Sequence, residues 1–517
     1  MPELSVILAG FADVFTLTNL MYIVLGVAVG QLAGAIPGLS ILMALAIAIP
    51  LTFTLDTLTA VAFLISVNKG GTVGGAIPAI LLNTPGTPES AATALDGHPM
   101  ARKGYGGKAM KYSLYYSVFG DISSDIVLIT VSAPLALVAL KMGPIEVTFL
   151  MMLAFTVIVG LVGESMIKGL ISVALGFLLA SVGIDPAMGS ARFTFGSVEM
   201  LDGLPLTALT IGMLAVSEIF IRLSERGAQS GQDVVGAALT FRDKGSQRLT
   251  LRELLANRYV AFRAFLIGTV IGAIPGLGST TAGFLSYSIT KQSAKDPEKL
   301  GTGDPRGIAA SEAANSSVVG ANMIPLLTLG IPGNIAAALL VSAFIIHGVQ
   351  PGPLLFQQQG QLIYGLFGAM LIANFCNLAV GQFGMRLWAR VVSAPASVVY
   401  PGALLMCATG MYFATGGTLG IVIMIVASVF GYAMRVFGYS IIAFIVAFVL
   451  TPMLERSINQ TILLTNGEWS ELLNHPIALA LFALSIVSIL YLGPRRRAKG
   501  DRRDPPDRGA APARDEA

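Results

Sequence analysis

A few polar residues interrupt an otherwise apolar stretch at residues 68–97, NKGGTVGGAIPAILLNTPGTPESAATALDG. Asn68, Lys69, Asn83, Thr84, Thr87 and Ser90 sit where the chain is apolar enough to lie in a membrane. Polar groups at that depth are costly and mark functional positions. A related stretch returns at residues 314–334, ANSSVVGANMIPLLTLGIPGN, with Asn315, Ser316, Ser317, Asn322 and Asn334. Neutral donors and backbone N–H groups can hold a multiply charged anion without a permanent buried charge. The same side-chain oxygens, with unwound backbone carbonyls, can ligate sodium. Ser and Thr hydroxyls bonded to their own helix would give the same pattern.

Lys69 is the first basic residue of the chain and has apolar neighbours. Beside a break in the motif it could meet a substrate carboxylate or an internal acid such as Glu312. It could equally snorkel to an interface. Glu312 lies in a small, uncharged run, residues 309–314, and could bind a coupling proton or sodium ion. Its nearness to Arg306 favours a water-exposed helix start instead. Gly38 and Ser40, and Ser279 and Thr280, join Glu312 as coupling-ion candidates. Asp121, Asp125 and Glu164 are further intramembrane acids of lower rank. His98, His347 and His475 all fall in expected loops, so none reads as a metal ligand or a buried base.

The elements that position these residues follow from the spacing. Asn68, Pro78, Pro85 and Gly86 correspond to Asn315, Pro325, Pro332 and Gly333, all at an offset of 247. Repeated Gly and Pro predict that each motif is broken. Irregular backbone survives in a bilayer only against protein or a watery cavity. Each motif should restart a helix near mid-membrane. Thr87 suits an N-cap and Pro88 a first helical position, and Asn334 takes the place equivalent to Thr87. Two helix N-termini would then point inward, carrying free N–H groups and partial positive charge that suit a carboxylate. Gly86 and Gly333, each one residue before these positions, join the substrate-binding candidates. Packing kinks in a structural bundle are the plainer explanation, but paired breaks in matched segments are the sequence mark of a transporter's substrate site.

Composition agrees. Of 517 residues, 54% are hydrophobic and 12% charged. This excludes an ordinary soluble protein and fits an all-α polytopic membrane protein. Two cysteines, Cys376 and Cys407, lie in apolar segments and suggest neither a disulfide framework nor a metal site. A net charge of +3 does not imply nucleic acid. No basic residue precedes Lys69, so no cleavable signal peptide is expected. There is no GxxxxGK[ST] loop for ATP, and no nucleophile–base pair or metal cluster is evident, so neither an ATP-driven pump nor an enzyme is indicated.

The chain reads as a duplication. GAIPGL at residues 34–39 returns at residues 272–277, an offset of 238, and Gly176 and Gly183 pair with Gly431 and Gly438 at 255. Loop charge decides the orientation. The loop after the first motif is basic (Arg102, Lys103, Lys108, Lys111), whereas residues 347–361 carry no Lys or Arg. Before the motifs the pattern swaps, with charge at residues 291–306 and no basic residue at 50–56. By the positive-inside rule the halves are inverted repeats with broken helices or re-entrant hairpins meeting at the midplane. The expected organisation is a first membrane repeat over 1–204, a linker helix and cytoplasmic loop over 205–258, a second, inverted repeat with terminal helices over 259–493, and a disordered cytoplasmic tail over 494–517. The N-terminus would be periplasmic and the C-terminus cytoplasmic. Whether 36–50 and 275–290 cross fully is left open by the sequence.

The run GGAIPAILLNTPGTPESAATALDGHPMARKG and the two GAIPGL hexapeptides resemble the large permease subunit, TctA type, of the tripartite tricarboxylate transporters. The resemblance runs from about Leu20 to Leu492. It implies a translocation path in the bacterial inner membrane, a small membrane subunit of about four helices, and a periplasmic solute-binding protein. It also implies uptake of a citrate-like organic carboxylate driven by a sodium or proton gradient, with no other cofactor. An elevator-like movement of the motif-bearing core is a further implication. A channel, or a carrier that works alone, is the competing reading.

Overall fold

The computed structural model describes residues 3–36, 40–162, 166–185, 188–228, 248–275, 277–391, 396–415, 417–466 and 468–492. Gly38, Glu164 and the expected tail lie outside them. In chain order the first helices are α1 (Leu4–Asp13), α2 (Leu17–Ala35), α3 (Ile41–Leu51), α4 (Thr57–Leu82), α5 (Ala91–Met100), α6 (Gly106–Ala139), α7 (Pro144–Val162) and α8 (Met166–Ala180). A two-residue β-ladder, Gly183–Ile184 with Ala191–Arg192, follows. Then α9 (Leu206–Thr210) passes through a π-helical stretch (Ile211–Val216) into α10 (Ser217–Ala228). The second half has α11 (Leu251–Ala256), α12 (Arg258–Gly272), α13 (Ser279–Ser293), α14 (Pro305–Leu329), α15 (Ile335–Ile346), α16 (Leu355–Gln358) and α17 (Gly360–Val391). It closes with α18 (Ala396–Thr415), α19 (Leu419–Val436), α20 (Ile441–Leu464) and α21 (Pro476–Leu492). Among the described residues, six helices are long and apolar enough to cross a bilayer. The protein is an all-α polytopic membrane protein.

The glycines of the first motif do not break it, contrary to the sequence expectation. α4 runs unbroken through NKGGTVGGAIPAILL and is buried from Thr59 to Leu81. Its glycines serve close packing. A Cβ on Gly70 would lie 2.3 Å from the Val27 carbonyl oxygen, and one on Gly74 2.4 Å from that of Gln31. Reciprocally, Gly26, Gly30 and Gly34 of α2 rest on the backbone of Phe63, Val67 and Gly71. Small residues on both faces let two helices touch backbone to backbone, which is how helices associate without a hydrophobic drive.

These contacts also give directions. α2 and α4 run the same way. α12 and α14 repeat the arrangement, with Gly268 on Ala314 and Gly272 on Val318. Those positions correspond to Gly30 on Val67 and Gly34 on Gly71 at the offsets seen in sequence. Because α2 and α4 are parallel, α3 and the segment after it must carry the chain back. α3 has 11 residues, about 17 Å of helix against roughly 30 Å of hydrocarbon, so this helix alone is too short to span it. α13 returns against α14, with Gly283 beside Ser311 and Tyr287 beside Gly307.

The halves interlock through their long fourth crossings. α6 lies along α14 in the same direction: Ser117 bonds Glu312, Gly120 meets Ala313, and Ser124 and Asp125 meet Gly320. α17 lies along α4 in the same direction, with Gly365 on Leu58 and Asn374 on Lys69. α6 opposes α17, with Leu114 against Gly381 and Asp125 bonded to Asn374. α4 and α14 therefore point in opposite senses. A buried amide network reinforces this seam. Gln31 donates to the Asn377 backbone oxygen at 2.9 Å, Trp388 Nε1 donates to Gln31 at 2.9 Å, and Asn377 donates to the Lys69 carbonyl at 3.2 Å. Trp388 is thus an interior residue in this fold.

Candidate functional site

Each motif has one true interruption. α4 stops at Asn83, whose backbone is left-handed at φ 55° and whose N–H bonds the Pro78 carbonyl. Thr84 N–H also reaches Pro78 O, at 3.3 Å. α14 stops at Gly330, at φ 74°, and Ile331 N–H reaches Pro325 O at 3.2 Å. Each of these pairs is separated by 247 positions. A left-handed residue just past a helix end, Gly or Asn, is the usual way to close the last carbonyls.

The chain then doubles back. Gly86 N–H bonds Gly75 O at 3.2 Å, and Ser90 Oγ donates to the same carbonyl at 2.8 Å. The restart at Thr87 and a 3₁₀ turn, Pro88–Ser90, therefore sits about two turns back from the end of α4. In the second half Gly333 lies against Asn322, the partner of Gly75, and Asn334 caps α15 by accepting from Ala337 N–H at 2.8 Å. A Cβ on Gly86 would fall 2.2 Å from Gly34 O, and one on Gly333 2.3 Å from Asn322 Oδ1 and 3.3 Å from Gly272 O. Gly34 and Gly272 open the two GAIPGL copies, so each restart lies against the first glycine of the copy in its own half.

The polar candidates divide. Asn83 and Thr84 are exposed at the tip, whereas Gly86, Thr87 and Ser90 are buried. Asn68 is buried on α4. In α14, Ser317 spends its hydroxyl on Ala313 O at 2.6 Å and Gly120 O at 3.1 Å. Both amide atoms of Asn315, Ser316 Oγ and Asn322 Oδ1 are buried with no hydrogen-bond partner among the described residues. Orphaned polar groups in a native interior call for an explanation such as a bound ion, water or ligand. Ser40 caps α3 through Met43 N–H at 3.2 Å. Ser279 is buried at the start of α13, with Thr280 half-buried beside it.

Lys69 is not beside a break. It sits in mid-helix, fully buried, and bonds Asp125 Oδ2 at 2.8 Å, Asp121 Oδ1 at 3.3 Å and Asn374 Oδ1 at 2.9 Å. Its partners are acids of α6, neither Glu312 nor the interface. Glu312 is fully buried too, against the expectation of a wet helix start. It accepts from Ser117 Oγ at 2.6 Å and from Thr93.

Sequence reasoning missed Asp96. This buried carboxylate of α5 accepts from the backbone N–H groups of Gly301, Gly303 and Asp304, each at 2.8 Å, and from Tyr287 Oη at 2.9 Å. It ties the restarted helix of the first half to the loop that opens α14. Three N–H donors replace a counter-charge. The sole signal was its place in the ALDG run that closes the motif.

These features define a polytopic membrane protein made of two related halves, each with a long buried helix, a left-handed stop and a restarted helix. A profile of the tripartite tricarboxylate transporter TctA family matches residues 20–446. The chain belongs to that family. It is 32% identical over 505 residues to the uncharacterized 52.8 kDa protein in the TAR-I ttuC′ 3′ region of Agrobacterium vitis, covering 97% of this chain and 99% of that protein. A second protein of the same organism, in the TAR-II ttuC′ 3′ region, is 32% identical over 235 residues, covering 45% of this chain and 97% of its own length. No solved structure matches.

Proposed function

We propose that the protein carries a di- or tricarboxylate, of citrate-like chemistry, into the cell across the bacterial inner membrane as an ion-gradient-driven secondary transporter. It would work with a small four-helix membrane subunit and a periplasmic binding protein. The observation that carries this reading is the pair of stop-and-return motifs, 247 positions apart, each bringing a restarted helix against the first glycine of its own hexapeptide. Helix N-termini suit carboxylates because they present free N–H groups and positive dipole ends. The opposed senses of α4 and α14 fit inverted halves, and the orphaned Asn315, Ser316 and Asn322 supply further polar contacts. Thr87 and Asn334 would hold opposite ends of the substrate, with sodium or protons as the coupling ion.

The test is uptake of labelled citrate and related acids into proteoliposomes holding this chain and the small subunit, with and without binding protein, under a sodium or pH gradient. Uptake that needs both gradient and binding protein supports the proposal. Uptake indifferent to both would indicate a solitary carrier or a channel.

A further inference from the structure

We propose that the buried Lys69–Asp121–Asp125–Asn374 cluster is a proton-binding site, with Asp121 the group that takes up and releases the proton. The assignment of this proton as the coupling ion rests on the transport reading above; the binding of the proton does not.

The argument begins with charge. Lys69, Asp121 and Asp125 are each 0% exposed. One ammonium faces two carboxylates, so the cluster has one excess negative charge when both acids are ionised. A buried charge without a partner is expensive, and the group neutralises instead. One added proton makes the cluster neutral.

Geometry says where that proton goes. Asp125 Oδ2 accepts from Lys69 at 2.8 Å and from Asn374 Nδ2 at 2.7 Å. Asn374 also accepts from Lys69 at 2.9 Å, which closes a three-membered ring of bonds. Asp125 is therefore the ionised partner of Lys69. Asp121 has only the longer contact, 3.3 Å, on Oδ1. Its Oδ2 is buried with no partner among the described residues. An unmatched carboxylate oxygen beside a satisfied ion pair is the natural proton acceptor. The second orphan, Asp125 Oδ1, faces Gly320 of α14, where a Cβ would come within 2.6 Å.

The surroundings hold a line of polar groups that begins one turn from Asp121. Asp121 follows Ser117 by one turn on the same face of α6. Ser117 donates to Glu312 at 2.6 Å, and Thr93 and Ser311 continue the chain of hydroxyls at 2.9 Å. Ser311 lies one turn after Gly307, which packs under Asp96 next to the 301–304 loop. The charged or titratable groups facing the cluster are Lys69 on α4, Asp125 on α6 and Glu312 on α14; α17 contributes the neutral Asn374. The cluster joins α4 and α6 of the first half to α17 of the second. A proton there changes the charge at the seam between the halves.

The test needs no substrate. Infrared difference spectra of the purified full chain in lipid nanodiscs, recorded across a pH titration with carbon-13-labelled aspartate, report a protonated aspartic acid directly. The expected result is a titrating aspartic-acid carbonyl band that vanishes in Asp121→Asn and shifts to a glutamic-acid band in Asp121→Glu. It should persist in Asp96→Asn. An absent band, a band that does not titrate, or one unchanged in Asp121→Asn overturns the site. The isotope shift in the wild type decides the aspartate question even where a variant folds poorly. For coupling, the ratio of citrate uptake with a pH gradient to uptake without it should exceed one in the wild type and fall to about one in Asp121→Asn (a ratio of one is no net driving force). Uptake driven by sodium with no pH response overturns the coupling assignment alone. Failure of the wild type to take up any acid under any gradient overturns the transport reading and leaves the infrared result standing.

Discussion

Asn83 and Gly330 share a left-handed backbone, at φ 55° and 74°, and each ends the long buried helix of its half. One stop signal, used twice, fixes where both helices give way to the returning tips. The left-handed conformation costs a residue with a Cβ roughly 1–2 kcal/mol, least for Asn. Asn83→Gly should therefore be neutral or slightly stabilising. Asn83→Val and Gly330→Val should each lower stability by about 1–2 kcal/mol. Thermal unfolding in detergent checks both, and equal melting temperatures for Asn83→Gly and Asn83→Val would remove the argument.

Gly86 and Gly333 are seats for the restarted helices. Gly86→Leu and Gly333→Leu should insert into the membrane in normal amounts and lose uptake by at least tenfold, about 1.4 kcal/mol or more in the transport barrier. Quantifying membrane-fraction protein beside citrate uptake separates the two effects. Full uptake in both variants would show that the tips are not where substrate binds.

Asp96 holds three N–H groups that no other side chain satisfies in its place. Asp96→Ala should strand them at a cost on the order of 3 kcal/mol. Gly307→Ala should act on the same joint, because its Cβ would lie 2.0 Å from Asp96 Oδ2. Trypsin, acting at Lys299 and Arg306, reads the release of the 296–304 loop. Both variants should be cut faster than the wild type, and unchanged cleavage rates would count against this joint.

Glu253 gives a pH dependence outside the bilayer. Its bond to Lys108, then the Thr250 N–H of its capping box, hold its carboxyl down to about 2 from the ordinary 4.5. A depressed folded value means that the contribution is present above the ordinary value and is lost as pH falls toward 2. The partial exposure of Glu253 keeps the effect small. Pepsin digestion between those limits should cut near α11 increasingly as pH falls. Glu253→Gln should be cut readily throughout the same range, and a wild-type profile in that variant would exclude the ion pair as the anchor.

Much of this fold is legible in sequence, because the information is periodic or repeated. The offset of 247 located both restarts, Thr87 and Asn334, and the first glycine of each GAIPGL copy lies against Gly86 or Gly333; the stops at Asn83 and Gly330 keep the same offset but were not singled out as stops. The glycine-rich run after Lys69 was misread as broken because glycine serves two ends. It frees the backbone where a helix must end, and it clears space where a helix must touch another. Only the partner helix, α2, tells these apart. Lys69 likewise finds acids 52 and 56 positions away and an amide 305 positions away. No local pattern encodes such a meeting. The i, i+4 spacing of Asp121 and Asp125 on an apolar helix was the available clue. Glu312 was placed in water for its nearness to Arg306, yet Arg306 turns away to Asp304 and Asp296.

The crossing of α6 onto α14, and of α17 onto α4, means that neither half closes around its own buried helix. A half-length chain would leave its most sheltered helix bare along the side that the other half covers. The two long buried helices are thus each sheltered by a helix contributed from the other half, and one polypeptide supplies both covers.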